Sequence, residues 1–521
     1  MLTQSSLGHQ HLTRVPTLRR LGQRAIALLL LPVLLSMILG PSPSYATSIE
    51  PYLDRTEAQI QEFSLDNGMK FIVLERHDAP VISFMTYADA GGANEPAGKT
   101  GVAHFLEHLA FKGTPRIGTK NYNAEAPLLA QLDDLHEQIR AAQAAGNDEE
   151  AARLEDEFKG VEDQASEYVI QNEFGQIVEQ YGGVGLNATT SADATRYFYS
   201  FPANKLELWM SLESERFLEP VFREFYKEQN VILEERRLGT DNSAIGSLIE
   251  EFLLTAFSEH PYRQPVIGHE ADIRNLTTED TYDFYKTYYV PNNLTVAIVG
   301  DVDVSQVQNL AEIYFGRYES GPTPPAVREV EPPQQEPRQV EVQFPSQPWY
   351  LEGYHRPDRT DPDNAAYELL VALLSDGRTS RLYQSLVEQQ QIALTAQGFN
   401  GFPGDKFPNL VLFYALTAPN HSLEEVQTAL RQEIERIQRD PVAPEDLERV
   451  KTQAKARLVR SLDSNSGMAS LLAEYQAKTG DWHNLFRELE AIEAVSRDDI
   501  RRVARETFRP NNRTVGKLLP S

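Results

Sequence analysis

The chain has 521 residues, of which 76 are acidic and 49 basic, so its formal net charge is −27, and it contains no cysteine. An acidic surface repels nucleic acid and anionic membranes, which argues against both as partners. Without cysteine there is no disulfide framework, thiolate metal site or cysteine nucleophile, and any metal must be held by histidine and carboxylate side chains.

Residues 1–46 have the pattern of a secretory signal peptide. Four arginines and no acidic residue accompany the apolar run 25–39, and Ser44, Tyr45 and Ala46 provide a cleavage site. The apolar run is shorter than the roughly 20 residues of a membrane span. We therefore expect cleavage near Ala46, export to the periplasm or the extracellular space, and no stable membrane span after processing. An uncleaved anchor and a transit peptide are the alternatives.

Residues 61–90 predict a strand, a turn and two further strands. Asp66, Asn67 and Gly68 are typical of a hairpin turn, and the apolar segments 70–75 and 81–87 follow it. A helix is expected next, over the segment that begins at Gly101.

That segment contains His104, Glu107 and His108. On an α-helix the two histidines project about 40° apart, and Glu107 projects about 60° to the other side of His104, so all three share one face. Two imidazoles one turn apart can bind one tetrahedral Zn²⁺, and the carboxylate can act on a water molecule as general base. The alternative is a helix with two hydrogen-bonded histidines and a solvated glutamate.

The run HFLEHLAFKGT, residues 104–114, resembles the pitrilysin/insulinase family of zinc metallopeptidases, whose half-length members include processing-peptidase β subunits. The resemblance implies a zinc endopeptidase with one Zn²⁺ per chain. It also implies that His104 and His108 bind the metal and that Glu107 is the general base.

Two sets of apolar residues at steps of three and four, over 128–139 and 154–168, predict an antiparallel helical hairpin. The family spacing implies that this hairpin, residues 126–170, is an insertion of about 50 residues. Because it can bury its own seam, we expect it to be self-contained. It is either a solvated accessory arm or an arm that docks a partner or gates substrate.

Residues 186–191 and 195–201 predict a pair of strands, helices are expected from 204 to about 238, and a strand is expected at 294–299. The resemblance implies that Asn187, Ala188 and Thr190 belong to an edge strand that pairs with an extended peptide substrate. An ordinary strand end is the alternative.

A catalytic zinc site needs one more protein ligand. Glu228 and Glu235 lie seven residues apart and share one helix face. The resemblance implies that Glu235 is the third ligand and that Glu228 orients a ligand or the metal-bound water. Read alone, the sequence Glu-Glu-Arg-Arg at 234–237 fits a solvated charge run, and the choice of Glu235 over Glu234 rests on the resemblance.

The second half of the chain repeats the first. The pattern of a Thr/Ser N-cap, a helix and a Pro-Asn-Asn strand start at 277–296 recurs at 496–515, an offset of 219 residues. The second copy lacks a counterpart of the His-x-x-Glu-His motif. The sequence therefore predicts an α+β protein of two homologous half-domains, each a mixed sheet packed with helices. We expect a catalytic unit at 55–320, a Pro-rich linker at 321–337 and a non-catalytic unit at 338–521.

One departure from the family concerns a pair of residues in the second half. Family members place Arg and Tyr, seven residues apart, where this chain has Val387 and Leu394. We therefore expect a homodimer, or a heterodimer with a related chain that carries the missing pair. The expected function is zinc-dependent hydrolysis of peptides or unfolded segments. The rival is a non-catalytic peptide-binding or scaffold subunit.

Overall fold

The computed structural model describes residues 50–521, so the signal segment predicted over 1–46 lies outside the described residues. Within that range, none of the helices combines the length and the apolar character that crossing a bilayer requires.

Two β-sheets organise the described chain. The first sheet has the order β1-β2-β6-β3-β5-β4 and the second the order β7-β11-β8-β10-β9. The strands are β1 Ile60–Ser64, β2 Lys70–Glu75, β3 Val81–Ala88, β4 Val184–Thr190, β5 Thr195–Pro202, β6 Leu294–Gly300, β7 Arg338–Phe344, β8 Trp349–Arg356, β9 Ala393–Phe402, β10 Asn409–Thr417 and β11 Arg513–Pro520.

Helices separate the strands along the described chain, and several of them pack on the two sheets. In the first half they are α1 Glu50–Gln59, α2 Val102–Leu109, α3 Tyr122–Ala144, α4 Asp148–Ser166, α5 Glu173–Gln180, α6 Leu206–Leu218, α7 Phe225–Arg236, α8 Ala244–Ala256, α9 Glu270–Asn275, α10 Thr278–Tyr288 and α11 Val304–Tyr314. In the second half they are α12 Asn364–Ser375, α13 Leu423–Arg439, α14 Pro444–Asp463, α15 Asn465–Thr479, α16 Asn484–Ala494 and α17 Arg497–Thr507.

The predicted duplication is confirmed by the strand topology. The series β2-β6-β3-β5-β4 and β7-β11-β8-β10-β9 have the same pattern of one parallel pair followed by three antiparallel pairs. Helices α10 and α17 both begin with a capping box, formed by Thr277 with Asp280 and by Ser496 with Asp499. The fold is therefore the predicted pair of homologous α/β halves.

One helix from each half packs on the sheet of the other half. Helix α8, from the first half, packs on β7 and β11, while α15, from the second half, packs on β3 and β6. Phe252 of α8 lies so close to the second sheet that a Cβ atom at Gly353 would approach its ring to 2.7 Å. The sequence pattern did not predict this exchange.

The inserted hairpin consists of α3 and α4, as predicted, but it is not self-contained. Tyr226 of α7 packs its ring against His136 and Phe158, at centroid distances of 4.6 and 5.1 Å, and its hydroxyl donates a 2.8 Å hydrogen bond to Asp133. The buried side chains of the hairpin join the core of the first half. The expectation of an independent arm is wrong, because the hairpin packs on a core helix as well as on its own seam.

The linker at 321–337 forms neither helix nor strand, as its prolines predict. It is nevertheless fixed in place, because the Glu331 carboxylate accepts hydrogen bonds of 2.9–3.2 Å from the backbone N–H groups of Ser258, Glu259 and His260.

A buried ion pair connects the hairpin to the segment before α7, and breaking it should destabilise the protein. Arg223 Nε lies 3.0 Å from Glu125 Oε1, with both side chains at most 1% exposed. In Glu125→Ala the arginine keeps its charge in a buried site, and we expect the free energy of unfolding to fall by about 3–5 kcal/mol. Urea denaturation measures the change.

The matched control is Glu150→Ala, which breaks the exposed pair of Glu150 with Arg153 on α4. It should change the stability far less than Glu125→Ala does. Equal losses in the two variants would contradict the assignment of stability to the buried pair.

Candidate metal centre and peptide cleft

Helix α2, which carries the His-x-x-Glu-His motif, has a fixed starting point. The Glu95 carboxylate accepts hydrogen bonds of 2.9 Å from the backbone N–H groups of Gly101 and Ala103. Burial raises the pKa of Glu95 to about 8. Gly101 has φ +89°, and a Cβ atom there would lie 2.7 Å from the carbonyl oxygen of Ile267. Only glycine fits this close approach.

The apolar face of α2 sets the direction of its polar face. Its buried side chains are Val102, Ala103, Phe105, Leu106 and Leu109. The ring of Phe105 packs at 4.5 Å from that of Phe225 at the start of α7. With this face buried, His104, Glu107 and His108 project toward α7 and the edge strand β4.

The two histidines and Glu235 converge in space. His104 Nε2 lies 3.8 Å from Glu235 Oε1, and His108 Nε2 lies 3.6 Å from Glu235 Oε2. Glu234 is directed elsewhere, because it forms an exposed pair with Arg237 at 2.6 Å. The geometry thus favours Glu235 over Glu234 as the third metal ligand. The sequence alone did not decide between these two residues.

The donor set fits a zinc ion. Nitrogen and carboxylate ligands of zinc lie about 2.0–2.2 Å from the metal, and catalytic sites use three protein ligands. One donor atom from each of His104, His108 and Glu235 lies within 4.8 Å of the others. Burial, together with the charge of His108, lowers the pKa of His104 to about 4, so its imidazole is neutral and has a lone pair to donate.

Glu228 lies behind His108, on the face of α7 that it shares with Glu235. Its Oε2 atom is 3.3 Å from His108 Nδ1, and its Oε1 atom is 2.5 Å from Lys112 Nζ. Burial alone would raise the pKa of Glu228, but hydrogen bonds from His108 and Lys112 outweigh it and lower the pKa. Burial likewise opposes a charge on His108, yet Glu228 raises the pKa of that histidine.

Glu107 makes no short contact with Glu235; its partner is the edge strand β4. Thr190 Oγ1 donates a 2.6 Å hydrogen bond to Glu107 Oε2. Burial raises the pKa of Glu107, and the Thr190 hydroxyl acts in the opposite direction. Thr190, which the resemblance placed among the substrate-binding residues, therefore also holds this carboxylate in position.

Asn187 and Ala188 lie on the same strand as Thr190. Strand β4 pairs with β5 on one side, and its other edge faces no strand among residues 50–521. The Asn187 side chain accepts a 3.0 Å hydrogen bond from the Ala188 N–H group. The open edge beside Glu107 is a surface on which an extended peptide can add a strand.

Comparison with known proteins shows the family to which this chain is related. Residues 71–132, which include the His-x-x-Glu-His motif, match the family described as insulinase (peptidase family M16), and residues 275–454 match the peptidase M16 inactive domain. The zinc protease PqqE of Helicobacter pylori is 30% identical over 501 residues, which cover 93% of this chain and 98% of that protein.

The chain belongs to the insulinase family, peptidase family M16.

Solved structures of similar proteins share its fold. The crystal structure of a protease from Helicobacter pylori has a TM-score of 0.75 at 29% identity, covering 88% of this chain and 99% of that one. The periplasmic protease PqqL of Escherichia coli has a TM-score of 0.64 at 17% identity, over 88% of this chain but only 47% of that chain. The family resemblance seen in the motif is thus confirmed, including its half-length type.

Sequence reasoning missed three residues beside the M16 motif. Glu224 lies one helical turn before Glu228, and its carboxylate accepts hydrogen bonds from Lys112 at 3.1 Å and Gln171 at 2.8 Å. Lys112 lies four residues after His108, a spacing that could have indicated a place near the motif. Glu224 and Gln171 carry no such signal, because the insertion separates them in sequence from the motif.

Val387 and Leu394 belong to the second half and lie far in sequence from the candidate metal ligands. The two side chains differ from each other in burial. Val387 packs partly buried against the core of the second half, while the Leu394 side chain on β9 is 54% exposed.

Because His104 and His108 converge on Glu235, we expect zinc affinity to depend on the Glu235 carboxylate. In Glu235→Gln a charged donor is lost, and we expect zinc affinity to fall by more than the 10–100-fold typical of changes outside the ligand shell. Glu234→Gln makes the same chemical change one residue away, at the pair with Arg237, and should leave zinc affinity unchanged. Metal titration of both variants measures this. Weaker zinc binding in Glu234→Gln and normal binding in Glu235→Gln would reverse the assignment.

Proposed function

We propose that this M16 protein is a zinc-dependent endopeptidase that hydrolyses peptides or unfolded segments. The observation that carries the proposal is the convergence of His104, His108 and Glu235, with Glu107 on the same helix face. The names of the relatives support zinc and proteolysis, since the Helicobacter pylori relative is named a zinc protease. In this proposal one Zn²⁺ per chain is held by those three side chains, and Glu228 orients His108.

Zinc at such a site would supply Lewis acidity, which polarises a peptide carbonyl and lowers the pKa of water to about 7. Glu107 takes the proton from the attacking water and later delivers it to the leaving amine. Its raised pKa makes it a stronger base, and the hydrogen bond from Thr190 aims its carboxylate. Because Thr190 belongs to β4, the strand that would hold the substrate also positions the base.

Substrate binding is assigned to the open edge of β4, with Asn187, Ala188 and Thr190. Main-chain hydrogen bonds to an edge strand require an extended peptide and place little demand on its sequence. This favours unfolded segments over folded proteins as substrates.

A non-catalytic peptide-binding or scaffold subunit is the second candidate. The second half, which matches the inactive-domain description and lacks the motif, favours it. The first half argues against it, because a degenerate chain is expected to lose a ligand or the base, and all four side chains are present.

Glu107→Gln separates the two candidates. The variant keeps both histidines and Glu235, so we expect wild-type zinc content, while the loss of the base should lower kcat by about 10²–10⁴-fold. Cleavage of quenched peptides by the purified proteins measures kcat, and Glu234→Gln serves as the matched control with unchanged turnover. Activity in Glu107→Gln above about a hundredth of wild type would argue against the general-base role.

We also propose that the chain works as a dimer, either with itself or with a related chain that carries the missing Arg and Tyr. PqqL supports the arrangement, because a single chain of that fold is about twice as long as this one. Val387 and Leu394 favour the related chain, since a homodimer would bring the same two residues again.

A heterodimer with the related chain predicts that this chain purified alone is a weak peptidase. If the absent pair stabilises the transition state as an oxyanion donor does, kcat should be about 10²–10³-fold below that of the native complex. The measurement compares the lone chain with the complex isolated from its native compartment. Equal turnover, or the absence of a second related chain from the complex, would show that no such partner is needed.

We propose further that the protein is exported, with cleavage near Ala46, and acts in the periplasm or outside the cell. The structural neighbour PqqL is described as periplasmic, and the N-terminal sequence of the mature protein tests the cleavage site. The proposed division remains a catalytic unit at 55–320 with its insertion at 126–170, a linker at 321–337 and a non-catalytic unit at 338–521.

A further inference from the structure

The third candidate ligand lies in the last turn of its helix. Helix α7 ends at Arg236, one residue after Glu235, and the chain continues as a π-helix over Arg237–Asp241. The Glu235 side chain is 52% exposed, so burial does not fix its direction. Because carbonyl groups in the last turn of a helix lack intrahelical partners, such a turn frays unless other contacts hold it. The position of Glu235 therefore depends on what holds the end of α7.

Arg236 holds this end of α7. In contrast to Glu235 it is buried, with 10% of its side chain exposed. Its guanidinium forms a bidentate pair with Glu250 of α8, in which Nη1 lies 3.0 Å from Oε2 and Nη2 lies 3.0 Å from Oε1. Nη1 also donates a 2.8 Å hydrogen bond to the Gly268 carbonyl. Bidentate contacts of this kind add geometric specificity to their strength, so they fix the residue next to Glu235.

Glu250 has a second partner, His269. The Nδ1 atom of His269 lies 3.2 Å from Glu250 Oε1, and its Nε2 atom lies 2.8 Å from Gln264 Oε1. Burial alone would raise the pKa of Glu250, but hydrogen bonds from His269 and Arg236 outweigh it and lower the pKa. The Glu250 carboxylate therefore stays charged opposite Arg236.

The segment that carries Gly268 and His269 also contacts the start of the motif helix α2. The His269 N–H group donates a 2.9 Å hydrogen bond to Thr100 Oγ1. Gly268 packs so closely that a Cβ atom there would lie 2.5 Å from the Thr100 carbonyl oxygen. Two adjacent residues thus contact the helix of the two motif histidines on one side and the neighbour of Glu235 on the other. One short segment sets the spacing between the two parts of the candidate metal centre.

Helix α8 connects Arg236 to the second half of the chain. Glu250 and Phe252 are two residues apart on this helix, so their side chains project about 160° apart, from nearly opposite faces. Glu250 pairs with Arg236, while Phe252 packs against the second sheet at Gly353. The half that lacks the motif thereby supports the end of α7.

We propose that Arg236 is a positioning residue for Glu235. It is not a metal ligand itself; it fixes the last turn of α7, so that the Glu235 carboxylate stays within reach of an ion held by the two motif histidines. Glu250 keeps the Arg236 guanidinium in the orientation that this requires. The inference deepens the proposed zinc peptidase function and rests on its metal centre.

The zinc affinity of the folded protein tests this role. Arg236→Met keeps an apolar stem and removes the bidentate pair, and we expect zinc affinity to fall about 10–100-fold, as for other side chains that orient a metal ligand. Arg237→Met makes the same change one residue later, at the exposed pair with Glu234, and should leave zinc affinity unchanged. Urea denaturation checks that both variants are folded in the titration. A role in stability alone would leave the zinc affinity of the folded protein at the wild-type value.

Arg236→Lys is a second variant, which keeps a positive charge opposite Glu250. A lysine cannot reproduce the bidentate geometry, so this variant should fold and still bind zinc about tenfold more weakly than the wild type. Cobalt(II), used as a probe in place of zinc, reports ligand geometry through its visible absorption spectrum. We expect the spectrum of Arg236→Lys to differ from that of the wild type and the spectrum of Arg237→Met to match it. Wild-type zinc affinity and spectrum in Arg236→Lys would contradict the proposal.

A double-mutant cycle shows whether Arg236 acts through Glu235. Once Glu235→Gln has removed the carboxylate, adding Arg236→Met should weaken zinc binding little further, because no charged ligand is left to position. Equal losses from Arg236→Met in the wild-type and Glu235→Gln backgrounds would mean that the two side chains act independently, and the positioning role would be wrong.

The outcomes separate this inference from the proposed function. If Arg236→Met weakens zinc binding and the wild-type protein cleaves no peptide, the positioning role stands and the peptidase proposal fails. If the wild-type protein cleaves peptides and Arg236→Met binds zinc as tightly as Arg237→Met does, the peptidase proposal stands and the positioning role is wrong.

Discussion

The candidate site depends on how the apolar face of α2 is buried. A helix of eight residues has a short hydrophobic face, and here that face is held by the core of the first half and by the ring contact between Phe105 and Phe225. Since side chains on a helix keep fixed angular positions, burying one face fixes where the opposite face points. The cap at Glu95 fixes where the helix begins. The candidate metal donors, the candidate base and the edge strand meet because these two constraints are satisfied together.

Duplication has preserved the scaffold in both halves and the candidate chemistry in one. Five strands of the first sheet share the order of the second sheet, yet the His-x-x-Glu-His motif occurs only in the first half. Around the site, polar contacts form a connected chain from Gln171 through Glu224, Lys112 and Glu228 to His108. The segment that follows the insertion is thus physically continuous with the candidate metal-binding side chains, although it is remote from them in sequence.

Local patterns predicted much of this architecture, and long-range packing accounts for what they missed. Strand β2 coincides with its predicted range, the linker ends where β7 begins, and the motif falls on a helix, because alternation, proline content and helical spacing act over a few residues. The choice of Glu235 needed the family resemblance or the fold. Two contacts join segments dozens of residues apart: that of Thr190 with Glu107 and that of Tyr226 with the hairpin. Local sequence periodicity does not predict contacts between such distant residues.

The exchange of α8 and α15 between the halves has a consequence for the integrity of the chain. Each sheet is covered partly by a helix that belongs, in sequence, to the other half, so separating the halves would expose apolar surface on both sheets at once. The covalent connection through residues 321–337 is therefore not what holds them together. We expect a chain nicked in this segment to persist as a non-covalent pair of fragments and to unfold in a single cooperative step.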